Sequence, residues 1–113
     1  MAAKKSKKLR KERIVCISFR PDGSLRVEPD SLMVHRGNLV RWVTIVREAR
    51  IRLHFKTRRG SPFTHEAFTS PSRGQALSAP VRDDAERGKY PYSVFLKIGK
   101  HEFKIDPDVE VQT

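Results

Sequence analysis

Apolar residues recur at every second position through much of this chain. Ile51, Leu53 and Phe55 interleave with Arg50, Arg52, His54 and Lys56. Further on, Tyr90, Tyr92, Val94 and Leu96 alternate with Pro91, Ser93, Phe95 and Lys97. A period of two places one set on each face of a β-strand. The same pattern predicts strands over 14–19, 24–27, 32–34, 39–46, 50–56, 90–98 and 101–105, with a weaker one over 75–81. Val109 and Val111 close the domain. Turn residues punctuate them: Pro21-Asp22-Gly23, Pro29-Asp30-Ser31, His35-Arg36-Gly37-Asn38 and Gly99-Lys100. Residues 57–74 form a polar, turn-rich excursion with Phe63 and Phe68 as anchors, and 83–86 has room for one helical turn.

Six to nine short strands without a convincing helix point to an all-β, Greek-key β-sandwich, with a small barrel as the competing architecture. Trp42, in a stretch rich in β-branched and aromatic residues, is the expected core anchor. Tyr90 and Tyr92 share a face and are also expected inside. At 113 residues the chain makes one domain plus a tail.

Composition changes the picture at the N-terminus. Lys and Arg number 24 against 13 Asp and Glu, a net charge of +11. Lys4, Lys5, Lys7, Lys8, Arg10, Lys11 and Arg13 lie in the first thirteen positions, opposed by Glu12 alone. From Ile14 onward 17 basic and 12 acidic residues remain, a charge of +5. Residues 1–12 therefore read as a disordered basic tail, and 13–113 as the folded domain. The basic start has no signal-peptide apolar stretch after it, and no run approaches the roughly 20 apolar residues of a membrane helix. The single cysteine, Cys16, excludes an intrachain disulfide and a cysteine-rich metal framework, and its strand context suggests a buried, inert thiol. A cytoplasmic or otherwise reducing compartment is expected.

Two segments carry a resemblance. Gly37, Val40 and Trp42 form one motif, and Gly88, Tyr90 and Tyr92 a second near the C-terminal end. In this order and separation they resemble the cupredoxin family over roughly residues 32–111, which implies a cupredoxin-like sandwich. The resemblance also implies where copper ligands would stand, and the residue types there do not suit a type 1 site, which needs a thiolate and two imidazoles. Val94 takes the cysteine's place, Ile51 falls near the upstream histidine, Lys97 near the second histidine, and His101 or Glu102 near the axial ligand. The chain is thus expected to lack type 1 copper and to need no cofactor. His54 has the wrong side-chain parity to substitute. A different metal at His101, Glu102 and Asp106 is the remaining metal alternative.

Charge is then the strongest functional signal. Arg50, Arg52, His54 and Lys56 project from one strand face at about 6.8 Å intervals, and Arg58-Arg59 extends them into a loop. Arg50, Arg52, Lys56, Arg58 and Arg59, together with Lys4, Lys5, Lys7, Lys8, Arg10 and Lys11, form a candidate anion-binding set. The expected partner is an RNA or DNA backbone, contacted without sequence readout. An acidic protein surface or an anionic membrane surface is also compatible with such charge. The sequence shows neither a nucleophile elbow nor a phosphate loop, so a non-catalytic binding module is expected. The alternatives are a protein-interaction domain without nucleic acid and, last, copper electron transfer.

Overall fold

A computed structural model describes residues 11–112. Ten strands follow in order: β1 (Glu12–Phe19), β2 (Leu25–Glu28), β3 (Ser31–Val34), β4 (Leu39–Thr44), β5 (Arg50–Phe55), β6 (Ala67–Thr69), β7 (Leu77–Pro80), β8 (Gly88–Ile98), β9 (His101–Ile105) and β10 (Asp108–Val111). They form two sheets rather than a closed barrel. One has the order β2-β1-β4-β7; the other runs β3-β10-β8-β5-β6, with β9 also paired to β8. β1 with β4, and β3 with β10, are parallel pairs in an otherwise antiparallel, Greek-key-like sandwich. β6 is the strand that sequence periodicity missed, because three residues inside a turn-rich excursion are too few to show alternation. Residues 83–86 form no helix; a single tight turn there closes with Ala85 N–H donating to Arg82 C=O at 3.2 Å.

The long strand β8 organises the larger sheet. Along one edge its first half pairs with β10 and its second half with β9, while β5 lies along the other edge. The β5–β8 register sets Ile51 opposite Leu96, Leu53 opposite Val94 and Phe55 opposite Tyr92. All six face the core and are buried, so the alternation visible in the sequence becomes one continuous apolar surface.

An aromatic cluster fills the space between the sheets. Phe55 and Tyr92 stack with ring centroids 4.8 Å apart, and Phe63 meets both Phe55 (5.6 Å) and Trp42 (5.4 Å) edge-on. Trp42 Nε1–H donates to the Tyr92 hydroxyl at 3.1 Å, linking β4 in one sheet to β8 in the other. Burial pushes the Tyr92 phenol well above its ordinary pKa, and the negative charge of Asp108 adds to that shift; the Trp42 hydrogen bond acts in the opposite sense without reversing it. At the far end of the sandwich Phe19 of β1 meets Phe103 of β9 at 4.9 Å.

Two expectations about β1 need correction. Cys16 is exposed, not buried. Val15 and Ile17 point into the core, so strand parity turns Ile14 and Cys16 outward. Strand pairing also includes residues before 13, which were expected in the tail. Leu39 N–H donates to Lys11 C=O at 2.9 Å, and Glu12 already pairs with Leu39. The rest of the expected tail, residues 1–10, lies outside the described residues.

Tyr92→Phe should lower stability by about 1–2 kcal/mol at neutral pH, because Trp42 Nε1–H is left buried without an acceptor. The pH dependence has a definite sign. The folded pKa is raised above the unfolded value of about 10, so the tyrosine contribution is complete below pH 10. It is lost as pH rises, because the unfolded chain then releases a proton that the native chain keeps. Denaturant titrations of wild type and Tyr92→Phe should therefore converge above about pH 10, by about 1.4 kcal/mol per pH unit. A gap that stays constant to pH 11 would contradict this account of Tyr92.

Candidate polyanion-binding face

The positions where copper ligands would stand do not converge. Ile51 and Val94 are both fully buried, at 0% exposure, and belong to the apolar core. Beyond Val94 the chain continues as regular strand to Ile98, turns at Gly99-Lys100 and returns as β9. This hairpin sends Val94 and Leu96 inward and Lys97 outward, so Val94 and Lys97 lie on opposite faces of the sheet. His101 is exposed at the start of β9, and His54 projects from the outer face of β5. The alternative set of His101, Glu102 and Asp106 is not brought together either. Among the described residues, no three His, Cys, Asp or Glu side chains are grouped as a metal site would require.

The outer face of the six-stranded sheet gathers cations from three strands. Register places Arg50 of β5 beside Lys97 of β8, and Lys97 beside Glu102 of β9. The next row runs Arg52, Phe95, Lys104 across the same strands. The Arg52 guanidinium lies 4.0 Å from the Phe95 ring centroid and 3.3 Å from Glu102 Oε2. Lys104 Nζ stands 5.9 Å from the same ring and 4.0 Å from Asp106 Oδ1. That carboxylate oxygen already accepts the Ser93 hydroxyl at 2.7 Å, so Lys104 is loosely held. Arg50, Arg52, Thr69, Phe95, Lys97 and Glu102 line a shallow depression of about 360 Å³. A second, of about 330 Å³, shares Arg50 and Lys97 with it and adds Arg73 and Glu48 from neighbouring loops.

Of the residues singled out by sequence, Arg50, Arg52 and Lys56 are exposed on this face or its margin, and Arg58 is exposed on the loop after β5. Arg59 is different, because its guanidinium is held by the fold. Its Nη1 donates to Arg87 C=O at 3.0 Å and its Nη2 to Lys89 C=O, while the group covers the Tyr90 ring at 4.3 Å. A Cβ on Gly88 would stand 2.7 Å from that guanidinium. Glycine at 88, with φ +133°, therefore gives Arg59 its seat. Lys11 is exposed beside the start of β1, whereas Lys4, Lys5, Lys7, Lys8 and Arg10 lie outside the described residues.

Sequence reasoning treated Lys97 only as a failed ligand and missed Phe95 and Lys104 as surface partners of Arg52. The alternation within β8 put Phe95 on the face opposite Tyr92 and Val94. Its alignment with Arg52 and Lys104, however, needed the β5–β8–β9 register.

Two hydroxyl groups lie near histidines, in arrangements that differ from an activated nucleophile. Ser93 is bonded to a carboxylate, Asp106, in a cleft of about 140 Å³ that His54 also lines. Thr64 Oγ1 and His65 Nδ1 are 3.0 Å apart on an exposed loop, where the imidazole packs edge-on against Phe68 at 5.8 Å. A nucleophile–base pair is ordinarily completed by a third group that orients the base, and neither arrangement shows one among the described residues.

No protein-family model matches the chain, and no curated protein does. Solved structures of amicyanin mutants do match. A reduced Cu(I) form of one mutant is 25% identical, with 88% of this chain and 80% of that one covered and a TM-score of 0.54. A second reduced mutant, 21% identical over 89% and 82% of the two chains, gives 0.57. A third, 21% identical over 93% and 84%, gives 0.55. The sandwich described above, built without a gathered ligand set among its described residues, is therefore a cupredoxin-like fold.

Proposed function

We propose that this protein is a metal-free, non-catalytic binding module that holds a polyanion, a nucleic acid backbone, against the outer face of its six-stranded sheet. The observation that carries the reading is the convergence of Arg50, Arg52, Lys97 and Lys104 from three adjacent strands onto one face. Cations at strand spacing act as a row of phosphate contacts, and displaced counterions supply the driving force. Contacts of this kind position a strand without reading its sequence. Lys56 and Arg58, exposed just beyond the end of β5, and the N-terminal residues Lys4, Lys5, Lys7, Lys8, Arg10 and Lys11 add charge that attracts the same partner.

A second reading, a protein-binding domain, is favoured by the other sheet. Its outer surface exposes Ile14 (49%) and Cys16, with Leu39 and Val43 partly covered. A pull-down with and without nuclease separates the two readings. A partner protein kept after nuclease treatment supports the second; loss of all partners supports the first.

Fluorescence anisotropy with a labelled oligonucleotide should give micromolar or tighter binding at low salt, falling steeply as salt rises. Arg50→Gln with Lys97→Gln should weaken it at least tenfold. The double substitution should also reduce the slope of log K against log salt by about 1.4–1.8, because each neutralised phosphate contributes about 0.7–0.9. Absence of binding at low salt would overturn the proposal.

Arg59→Ala should behave differently. It should lower stability by about 1–2 kcal/mol, since the carbonyls of Arg87 and Lys89 and the Tyr90 ring would be left without their cationic partner, while affinity changes less than twofold. Equal loss of affinity in Arg59→Ala and Arg50→Gln would place Arg59 in the binding face after all.

Copper provides a separate check. Protein incubated with Cu(II) and dialysed should show no thiolate-to-copper charge-transfer colour, and Cys16 should still react fully with a thiol reagent under native conditions. Retained copper with a blocked thiol would revive the electron-transfer alternative.

A further inference from the structure

The basic face contains one aromatic side chain at its centre, and phosphate contacts alone give it no role. Phe95 sits in the middle strand of the β5–β8–β9 trio, half-buried, on the outer face. Its inward-facing neighbours Val94 and Leu96 supply the core, so the sandwich does not need the ring for packing. Arg52 approaches from the β5 side at 4.0 Å and Lys104 from the β9 side at 5.9 Å. The wider gap is therefore on the Lys104 side, and Lys104 is itself tethered only at 4.0 Å to an Asp106 oxygen that Ser93 already occupies. The depression lined by Arg50, Arg52, Thr69, Phe95, Lys97 and Glu102 adjoins the ring on its β5 side, where phosphates rather than a base would sit, because Arg52 already covers the ring there.

Resting on the polyanion-binding reading above, we propose that the ligand is single-stranded nucleic acid and that Phe95 stacks with one of its bases. A flat aromatic face beside cations suits a base with its adjoining phosphates. Lys104 moves aside to admit the base on the β9 side of the ring, Arg52 stays against the ring on the β5 side, and Arg50 with Lys97 takes the phosphates one row along the strands. A duplex keeps its bases stacked on each other and exposes its backbone and base edges but no free base face, so it cannot use the ring. The preference for single strands follows from that difference and requires no base-specific hydrogen bond.

The test compares three probes on the whole protein: a single-stranded oligodeoxynucleotide, the duplex of the same length, and heparin, a polyanion without bases. Wild type should bind the single strand more tightly than the duplex. Phe95→Ala should lose about tenfold in affinity for the single strand, within the range found for removal of one stacked base, and change less than twofold for heparin. Phe95→Leu keeps apolar bulk without a π-face and should lose nearly as much, which separates stacking from a folding defect. Phe95→Trp should retain binding, and its emission should be quenched by the single strand but not by heparin. Trp42, the other tryptophan, is fully buried, so a quench specific to Phe95→Trp reports the new side chain.

Unchanged single-strand affinity in Phe95→Ala and Phe95→Leu, or equal quenching of Phe95→Trp by heparin, would overturn the stacking proposal while leaving the polyanion face intact. If wild type binds none of the three probes, the polyanion reading falls and this inference falls with it.

Discussion

The hydrogen bond from Trp42 to Tyr92 ties the two sheets together at the point on which everything else depends. It is buried, it crosses the sandwich, and it fixes which face of β8 looks inward. In a strand, a shift of one residue exchanges the two faces completely. With Tyr92 inside, Tyr90, Val94 and Leu96 must be inside as well, and Phe95 and Lys97 must be outside. Shape specifies the site for Tyr92, between the stacked Phe55 ring and the Trp42 indole. A slipped register would bury Lys97 and leave the indole donor unpaired. Both are costly in a small core, so the core and the basic face are determined by one strand at once.

The same parity explains why this chain's residues at the expected copper-ligand positions do not converge. A metal centre needs side chains from different segments to converge on a point. In the segment after Val94, regular pairing with β9 replaces any loop that would bend ligands toward one another. A hairpin distributes its side chains alternately between two faces, and Val94 and Lys97 fall on different ones. The aliphatic residues Ile51 and Val94 then fill space that ligands would have left polar. Their 0% exposure shows ordinary core packing rather than an open cavity.

Much of this was legible in the residues. Alternation over Arg50–Phe55 and 90–97 gave strand identity and facing together, because the inward positions are apolar throughout and every charged residue takes the other side. β1 was harder. Ile14 and Cys16 are as apolar as Val15 and Ile17, so the pattern carried no signal about which pair faced out, and hydrophobicity alone put Cys16 inside. Only pairing with β4, which sets Val15 beside the buried Trp42, decides it. Arg59 shows a second limit. Beside Arg58 in sequence the two are indistinguishable, yet Arg59 caps the backbone carbonyls of Arg87 and Lys89, far along the chain. The candidate site was therefore half visible. Its β5 cations could be read from one strand, whereas Lys97, Lys104 and Phe95 join them through register, a property of pairs of strands.

The outer face is also divided by charge, and the division bears on how a ligand strand would lie. β10, on the same sheet, turns Asp108 and Glu110 outward beside Pro91 and Lys89 of β8, and Asp106 stands between β9 and β10. The cations lie toward the other end of β8, where β5 and β9 flank it. A polyanion that followed β8 along its whole length would meet carboxylates over half its path. One that crosses the strands, from β5 over Phe95 to β9, passes Arg50 or Arg52, then Lys97, then Lys104. It meets Glu102, which Arg52 already pairs at 3.3 Å. Field strength on such a face falls within about a Debye length, some 8–10 Å at physiological salt, so Asp108 and Glu110, several residues along β8 from Arg50 and Lys97, do not cancel those cations, whereas Asp106 lowers the field only at Lys104, 4.0 Å away. The acidic half penalises the lengthwise path instead. The crossing path is also the one along which the aromatic ring sits between cations, so electrostatics and stacking select the same direction without either depending on base sequence.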